Sequence, residues 1–408
     1  MIDALLTGYL ASYLTDWLNL LLRFLHVVTA IAWIGASFYF IWLDNALEEP
    51  PQWKREKGIK GDLWSIHGGG FYEIAKYRLA PEVMPKTLHW FKWEAYSTWI
   101  TGILLLTLMY YVGADSYLID PGKAELTQWQ AIGIGVGTLL GGFLIYEAAV
   151  RSPLVNNGLI FGLTMLAVIT LIAWALNQVF GARAAYIHVG ALIGTCMAAN
   201  VMIGIMPAQR ALVDAVKRGV EPDPGPALMA KLRSTHNNYA TLPVLFIMLS
   251  NHYPITYGHQ YGWLILTALA LIGAWARHFF NLRHRGIVKP WILVSAFLAF
   301  CVLIWLLRPA APTPLDPSAA SLSDAEAIAL VQTRCATCHS ATPSDEVFTA
   351  APAGVSFDNA EQITRMIDRI EARAVLTHDM PFLNKTDMSD AERALLGEWI
   401  ARRREQGG

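Results

Sequence analysis

Five consecutive residues, Cys335-Ala336-Thr337-Cys338-His339, bring two thiols and an imidazole together at the spacing C-x-x-C-H. That spacing suits covalent attachment of a c-type haem, because each thiol adds to one vinyl group of the porphyrin and the adjacent histidine faces the iron. A bare C-x-x-C also occurs in redox dithiols and as half of a zinc site. Here no second C-x-x-C and no His pair accompany it, and the βαβ pattern of a thioredoxin-like unit is missing. The sixth iron ligand must come from the far side of the same unit. Met380, followed by Pro381 and lying about 40 residues downstream, is the expected sulfur ligand, with His378 as its rival. Met366 falls on an expected helix over 360–372 and reads as core, and Met388 precedes a helix cap.

A second set of candidates lies inside or at the ends of long apolar runs, where a polar residue is costly and is a functional hypothesis by default. His26 and His188 fall toward one end of their runs. They are expected as the axial ligands of a b-type haem held between helices, against the plainer reading in which each only hydrogen-bonds a neighbouring helix. His89, His236 and His278 fall toward the other end, with Lys92, Glu94, Glu147, Arg151, Asn200, Asn237 and Asn238 at similar height. Lys92 and Arg151 read as side chains reaching out from helix ends. His89, Glu94, His236 and Asn237 are the candidate catalytic residues for a polar substrate, or for moving protons. His67-Gly68-Gly69-Gly70 has the look of a lipase oxyanion loop, but no G-x-S-x-G exists to partner it, so it reads as a turn.

The elements that carry these residues are mostly membrane-length helices. The 408 residues have a mean hydropathy of +0.37, 54% hydrophobic and only 15% charged residues, and the fold class is all-α. Runs of roughly 20 apolar residues, the length that crosses a bilayer core, occur at about 17–42, 90–112, 129–150, 157–178, 182–206, 237–253, 260–281 and 288–307. The sixth is the weakest, being short and interrupted by Pro243. A net charge of −1 gives no reason to expect nucleic acid as a partner.

Basic residues crowd the loops after the first run (Lys54, Arg55, Lys57, Lys60, Lys76, Arg78, Lys86), the fifth (Arg210, Lys217, Arg218, Lys231, Arg233) and the seventh (Arg283, Arg285, Lys289), which makes those loops cytoplasmic. About eight spans then leave both termini outside the cell membrane. In a bacterium that is the periplasm, where c-type haem is attached. Cys196 and Cys301 sit inside apolar runs and read as small buried hydrophobes.

The chain thus divides into a bundle over 1–307, a Pro-rich linker over 308–319 and a small unit over 320–408. In that unit Ser323-Asp324-Ala325-Glu326 and Ser389-Asp390-Ala391-Glu392 have the form of capping boxes that open its first and last helices. From Cys335 through Met380-Pro381 to the last helix it resembles the class I cytochrome c family.

The whole chain, with Phe24-Leu25-His26, Leu88-His89-Trp90-Phe91-Lys92-Trp93-Glu94 and His236-Asn237-Asn238-Tyr239 followed by Thr241-Leu242-Pro243, resembles the bacterial membrane-bound urate oxidase family that carries a cytochrome c domain. The resemblance implies oxidation of urate to 5-hydroxyisourate in purine breakdown, in the inner membrane. It implies haem c as cofactor, with electrons leaving through it to a soluble cytochrome c or terminal oxidase and not to oxygen as hydrogen peroxide. The alternative is a membrane cytochrome b/c subunit that relays electrons and performs no substrate chemistry.

Overall fold

The computed structural model describes residues 2–308, 321–345, 348, 351–378 and 380–406. Apart from Arg308, the expected Pro-rich linker lies outside the described residues. The chain opens with a long helix α1 (Ile2–Ala46) and a short helix α2 (Gln52–Glu56), followed by an antiparallel hairpin of β1 (Ile59–His67) and β2 (Gly70–Tyr77). Then come α3 (Trp93–Leu106), which continues into a π-helical turn at Thr107–Val112, the short α4 (Ala114–Tyr117), α5 (Gln128–Arg151) and α6 (Gly158–Val179). After these α7 (Ala182–Ala199) runs through a second π-helical turn at Asn200–Ile205 into α8 (Met206–Lys217), and α9 (Pro224–Ser250), α10 (Pro254–Tyr257), α11 (Gly262–Arg283) and α12 (Trp291–Leu306) complete the bundle.

Among the described residues, six helices are long and apolar enough to cross a membrane: Tyr13–Ala46, Trp93–Val112, Gln128–Arg151, Gly158–Val179, Ala182–Lys217 and Gly262–Arg283. Eight were expected from the hydropathy, and the difference has a physical cause at each of the other two places. The sixth apolar run is the second half of α9, a 27-residue helix packed on α7, α11, α1 and the π-helical turn at Asn200–Ile205. It is surrounded by other helices and buries Arg233, Asn237, Asn238, Thr241 and Ser250 among them. A helix without a free face need not be apolar, which is why it reads as weak. The eighth is a shorter apolar helix of 16 residues.

The all-α expectation misses the β-hairpin. Gly68 and Gly69 both have positive φ (58° and 83°), the backbone that a two-residue hairpin turn with this twist demands. The glycine run is therefore a turn, as read, but one that joins two strands. Lys54 on α2 pairs with Asp62 of β1 and Glu73 of β2 and fastens the hairpin to the preceding helix.

Inside the bundle, Tyr110, Leu118, Phe180, Tyr186, Val189, Leu192, Ile247 and Leu266 form one core, while Ile31, Leu140, Leu144, Leu171, Phe297 and Leu298 point outward. The C-terminal unit has its own core of Val331, Phe357, Ile363, Leu396, Trp399 and Ile400. Four helices build it: α13 (Asp324–Cys335), α14 (Ala360–Arg365), α15 (Ile367–Ile370) and α16 (Asp390–Gln406). Ser323 and Glu326 cap α13 reciprocally, and Ser389 and Glu392 do the same for α16. The single helix expected over 360–372 breaks at Met366, which leaves the helical region (φ −104°, ψ 12°) so that Ile363, Ile370 and Ala374 all reach the core.

Candidate functional site

The haem-attachment motif begins at the last residue of α13. Cys335 and Cys338 are free, half-buried thiols, and the chain turns so tightly after them that the backbone N–H of His339 donates to the Cys335 carbonyl at 2.9 Å. Burial pushes the Cys335 thiol up to about 12 and that of Cys338 up to about 11. A reactive dithiol has a lowered value, and these two are shifted the other way. His339 Nδ1 meets the Val355 carbonyl at 3.0 Å, and burial lowers its pKa. A neutral imidazole that donates through Nδ1 keeps the Nε2 lone pair for a metal. Among the described residues no three His, Cys, Asp or Glu side chains gather as a metal-ligand set. A zinc site needs such a set, whereas haem attachment spends the thiols on the ring and only the imidazole on iron.

Met380 is half-buried and its backbone is held at both ends: its N–H donates to the Arg373 carbonyl at 3.0 Å, and its carbonyl accepts from Arg393 at 2.7 Å. His378, the rival, is exposed at positive φ (54°), and its ring lies 4.0 Å from Asp390. The motif residues suit a c-type haem, which Cys335 and Cys338 would attach and His339 would ligate; Met380 would be the second ligand.

His26 and His188 lie on different helices. His26 on α1 turns to α3, where Nδ1 lies 3.0 Å from the Thr98 carbonyl and 3.1 Å from the Thr101 hydroxyl, with the ring edge against Gly102. His188 on α7 is fully buried; Nδ1 meets the Ala184 carbonyl at 2.8 Å, and Nε2 points at α5. A Cβ added to Gly135 of α5 would lie 2.8 Å from both His188 Nε2 and the Tyr111 hydroxyl. His188 Nε2 is buried without a partner, and so is the Tyr111 hydroxyl beside the same glycine.

At the opposite end of the bundle the polar residues form one network. Arg233 of α9 makes a two-armed ion pair with Glu147 of α5 at 2.8 and 2.9 Å and donates to Asn200 Oδ1 at 2.8 Å. Asn200 Nδ2 donates to the Tyr146 hydroxyl at 2.7 Å and to Asn237 Oδ1 at 2.9 Å, and Asn237 Nδ2 donates to the Met197 carbonyl at 2.9 Å. The Tyr146 hydroxyl meets His236 Nδ1 at 3.0 Å, and the His236 ring stacks on Phe161 with centroids 4.5 Å apart.

Of the four candidate catalytic residues, His236 and Asn237 belong to this network, but they face different helices. Asn237 is buried with both ends of its amide engaged. Glu94, in the first turn of α3, keeps a buried carboxylate oxygen without a partner. His89 is exposed in the irregular segment before α3 and packs edge-on against Phe91.

A separate group surrounds Arg277 of α11. Its Nε donates to Asn238 Oδ1 at 3.1 Å, and its guanidinium lies 3.8 Å from the centre of the Phe38 ring. One residue on, His278 stacks on Trp275 and meets the Tyr239 hydroxyl at 2.6 Å. Arg277 is not among the sequence candidates, although an arginine inside an apolar run is itself a signal for a functional site. From sequence, Arg233 reads as a loop cation.

The sequence profile of the urate oxidase N-terminal family matches residues 12–308, most of the chain. The chain belongs to that family. Both polar groups lie within the matched span, so urate-related oxidoreductase chemistry attaches to the bundle. The match stops at Arg308, and the thiol pair lies beyond it. Neither a curated protein nor a solved structure matches the chain.

Proposed function

We propose that the chain is an integral-membrane urate oxidase that converts urate to 5-hydroxyisourate and passes the electrons to a c-type haem on its own C-terminal unit. The observation that carries the reading is the family match across the bundle. The prepared His339 tautomer and the engaged Met380 backbone support the haem. The overall change is urate plus water giving 5-hydroxyisourate, two protons and two electrons, so the new oxygen comes from water. When bound, the c-type haem would supply a one-electron acceptor, so the two electrons of each urate would leave in two successive transfers, with an external cytochrome c or oxidase taking the first before the second follows.

The chain's own residues have the remaining work. Glu94, with its unpaired carboxylate oxygen, is placed in the role of proton acceptor for the attacking water. Tyr146 and His236 sit on the network that holds α5, α7 and α9 in register. A b-type haem between His26 and His188 would add a second one-electron carrier inside the bundle, and the buried, unpartnered Nε2 of His188 is the atom that would ligate it. In this reading α9 and α12 cross the bilayer as well. α9 at 27 residues spans about 40 Å, more than the hydrocarbon core of about 30 Å. Eight crossings in the bacterial inner membrane then put the cytochrome unit, residues 320–408, in the periplasm, where a soluble cytochrome c or terminal oxidase collects the electrons.

The test is anaerobic addition of urate to the purified, oxidised protein. Reduction of the haem with formation of 5-hydroxyisourate is expected. If urate leaves the haem oxidised while a quinol reduces it, the oxidase reading falls and the chain is an electron-transfer subunit.

A further inference from the structure

We infer that Arg277 and Asn238, oriented by Phe38, form the recognition site for a planar heterocyclic anion, and, resting on the proposed function, that this is where urate is held. Arg277 is only 4% exposed, and among the described residues no carboxylate pairs with it. The other deeply buried cations of the bundle side differ in this respect: Lys54 holds Asp62 and Glu73, and Arg233 holds Glu147. A buried charge without a counter-charge is costly, and the fold keeps one only where something else supplies the anion.

The unpaired atoms lie together. Nε and Nη2 lie on the same edge of the planar guanidinium, so the Asn238 amide on Nε sits beside the open Nη2. Nε is taken by Asn238 Oδ1, while Nη2 is buried without a partner, and so is Nδ2 of the same Asn238 amide. Asn281, one turn along α11 from Arg277, leaves its Oδ1 buried and unpaired as well. Two free donors beside a positive charge, with a free acceptor one turn away, suit a ring anion that presents carbonyl oxygens and an N–H on its edge. Urate has that edge. Phe38 lies against the guanidinium at 3.8 Å and fixes its plane.

The experiment measures equilibrium urate binding to the detergent-solubilised full chain, held reduced so that no turnover occurs, together with the melting temperature of the ligand-free protein. Arg277→Gln is expected to weaken binding about 100-fold, and Arg277→Lys and Asn238→Ala about 10-fold each. The exposed control Arg210→Gln should bind as the wild type does. Because the unliganded site holds an uncompensated charge, Arg277→Gln should melt at or above the wild-type temperature. Unchanged affinity in Arg277→Gln overturns the site. A lower melting temperature overturns it too, since Arg277 would then be holding the fold. If the wild type binds no urate, the oxidase reading fails separately; the anion site then survives if Arg277→Gln is stabilised and is overturned if it is not.

Discussion

At the scale of single residues, the two buried arginines separate structure from recognition. Arg233 and Glu147 compensate each other, so removing one partner strands the other. Glu147→Gln is expected to cost about 3–5 kcal/mol, and the double change Glu147→Gln with Arg233→Met should recover most of it. Thermal melts of the detergent-solubilised variants check this; a double variant no better than the single one would mean that the pair does not act as a unit. For the thiols, changing Cys335 and Cys338 together to Ala should abolish covalent haem staining on a denaturing gel, and a persisting stain would remove the haem c assignment. That motif stands out in the sequence because the chemistry it would perform depends on five adjacent residues. The polar bundle sites were legible only as a height along the helices. Sequence gives the level of His236 and Asn237, but the angle that sends one to Tyr146 and the other to Met197 is set by packing partners distant in the chain.

At the scale of elements, local signals read well wherever the backbone itself needs a partner. Both Ser-x-x-Glu boxes cap helices in the C-terminal unit, and Ser323→Ala and Ser389→Ala should each destabilise it by about 1 kcal/mol. Glu392 adds a pH dependence. The Ser389 backbone N–H and the Arg334 guanidinium favour its carboxylate, so its pKa is lowered. A lowered carboxyl contributes stability that is present above the unfolded value of about 4.3 and is lost as pH falls through the lower folded value. An acid titration of the haem spectrum should therefore show the unit loosening at a higher pH in Ser389→Ala than in wild type; coincident curves would dismiss the role of the cap. The hairpin and α9 were the elements misread or underrated. The glycine run shows a turn but not the two strands it joins, and α9 reads as weak because hydropathy assumes a helix that faces lipid, whereas much of this one packs on other helices.

At the scale of the whole molecule, the proposed function requires a path by which electrons leave the bundle. The C-terminal unit touches it through Phe382, two residues after Met380. The Phe382 ring lies 5.8 Å from Tyr117 and 5.5 Å from the Arg183 guanidinium, which also covers Tyr117 at 5.0 Å and Tyr110 at 5.8 Å. Tyr110 in turn stands 6.1 Å from His188 in the centre of the bundle core. The contact sets the chain segment that carries Met380 against a row of rings, Tyr117, Tyr110 and His188. A cation–π contact of this kind is worth about 1–2 kcal/mol. Losing it in Phe382→Ala or Arg183→Gln should depopulate the docked arrangement and slow haem reduction by urate about 10-fold. Covalent haem content and urate affinity should stay at wild-type values, because neither residue belongs to the attachment motif or to the Arg277 group. Stopped-flow reduction under anaerobic conditions reads the rate directly. An unchanged rate in both variants would mean that electrons reach the C-terminal unit by another face, and a loss of covalent haem would mean that Phe382 serves the fold of that unit and not its docking.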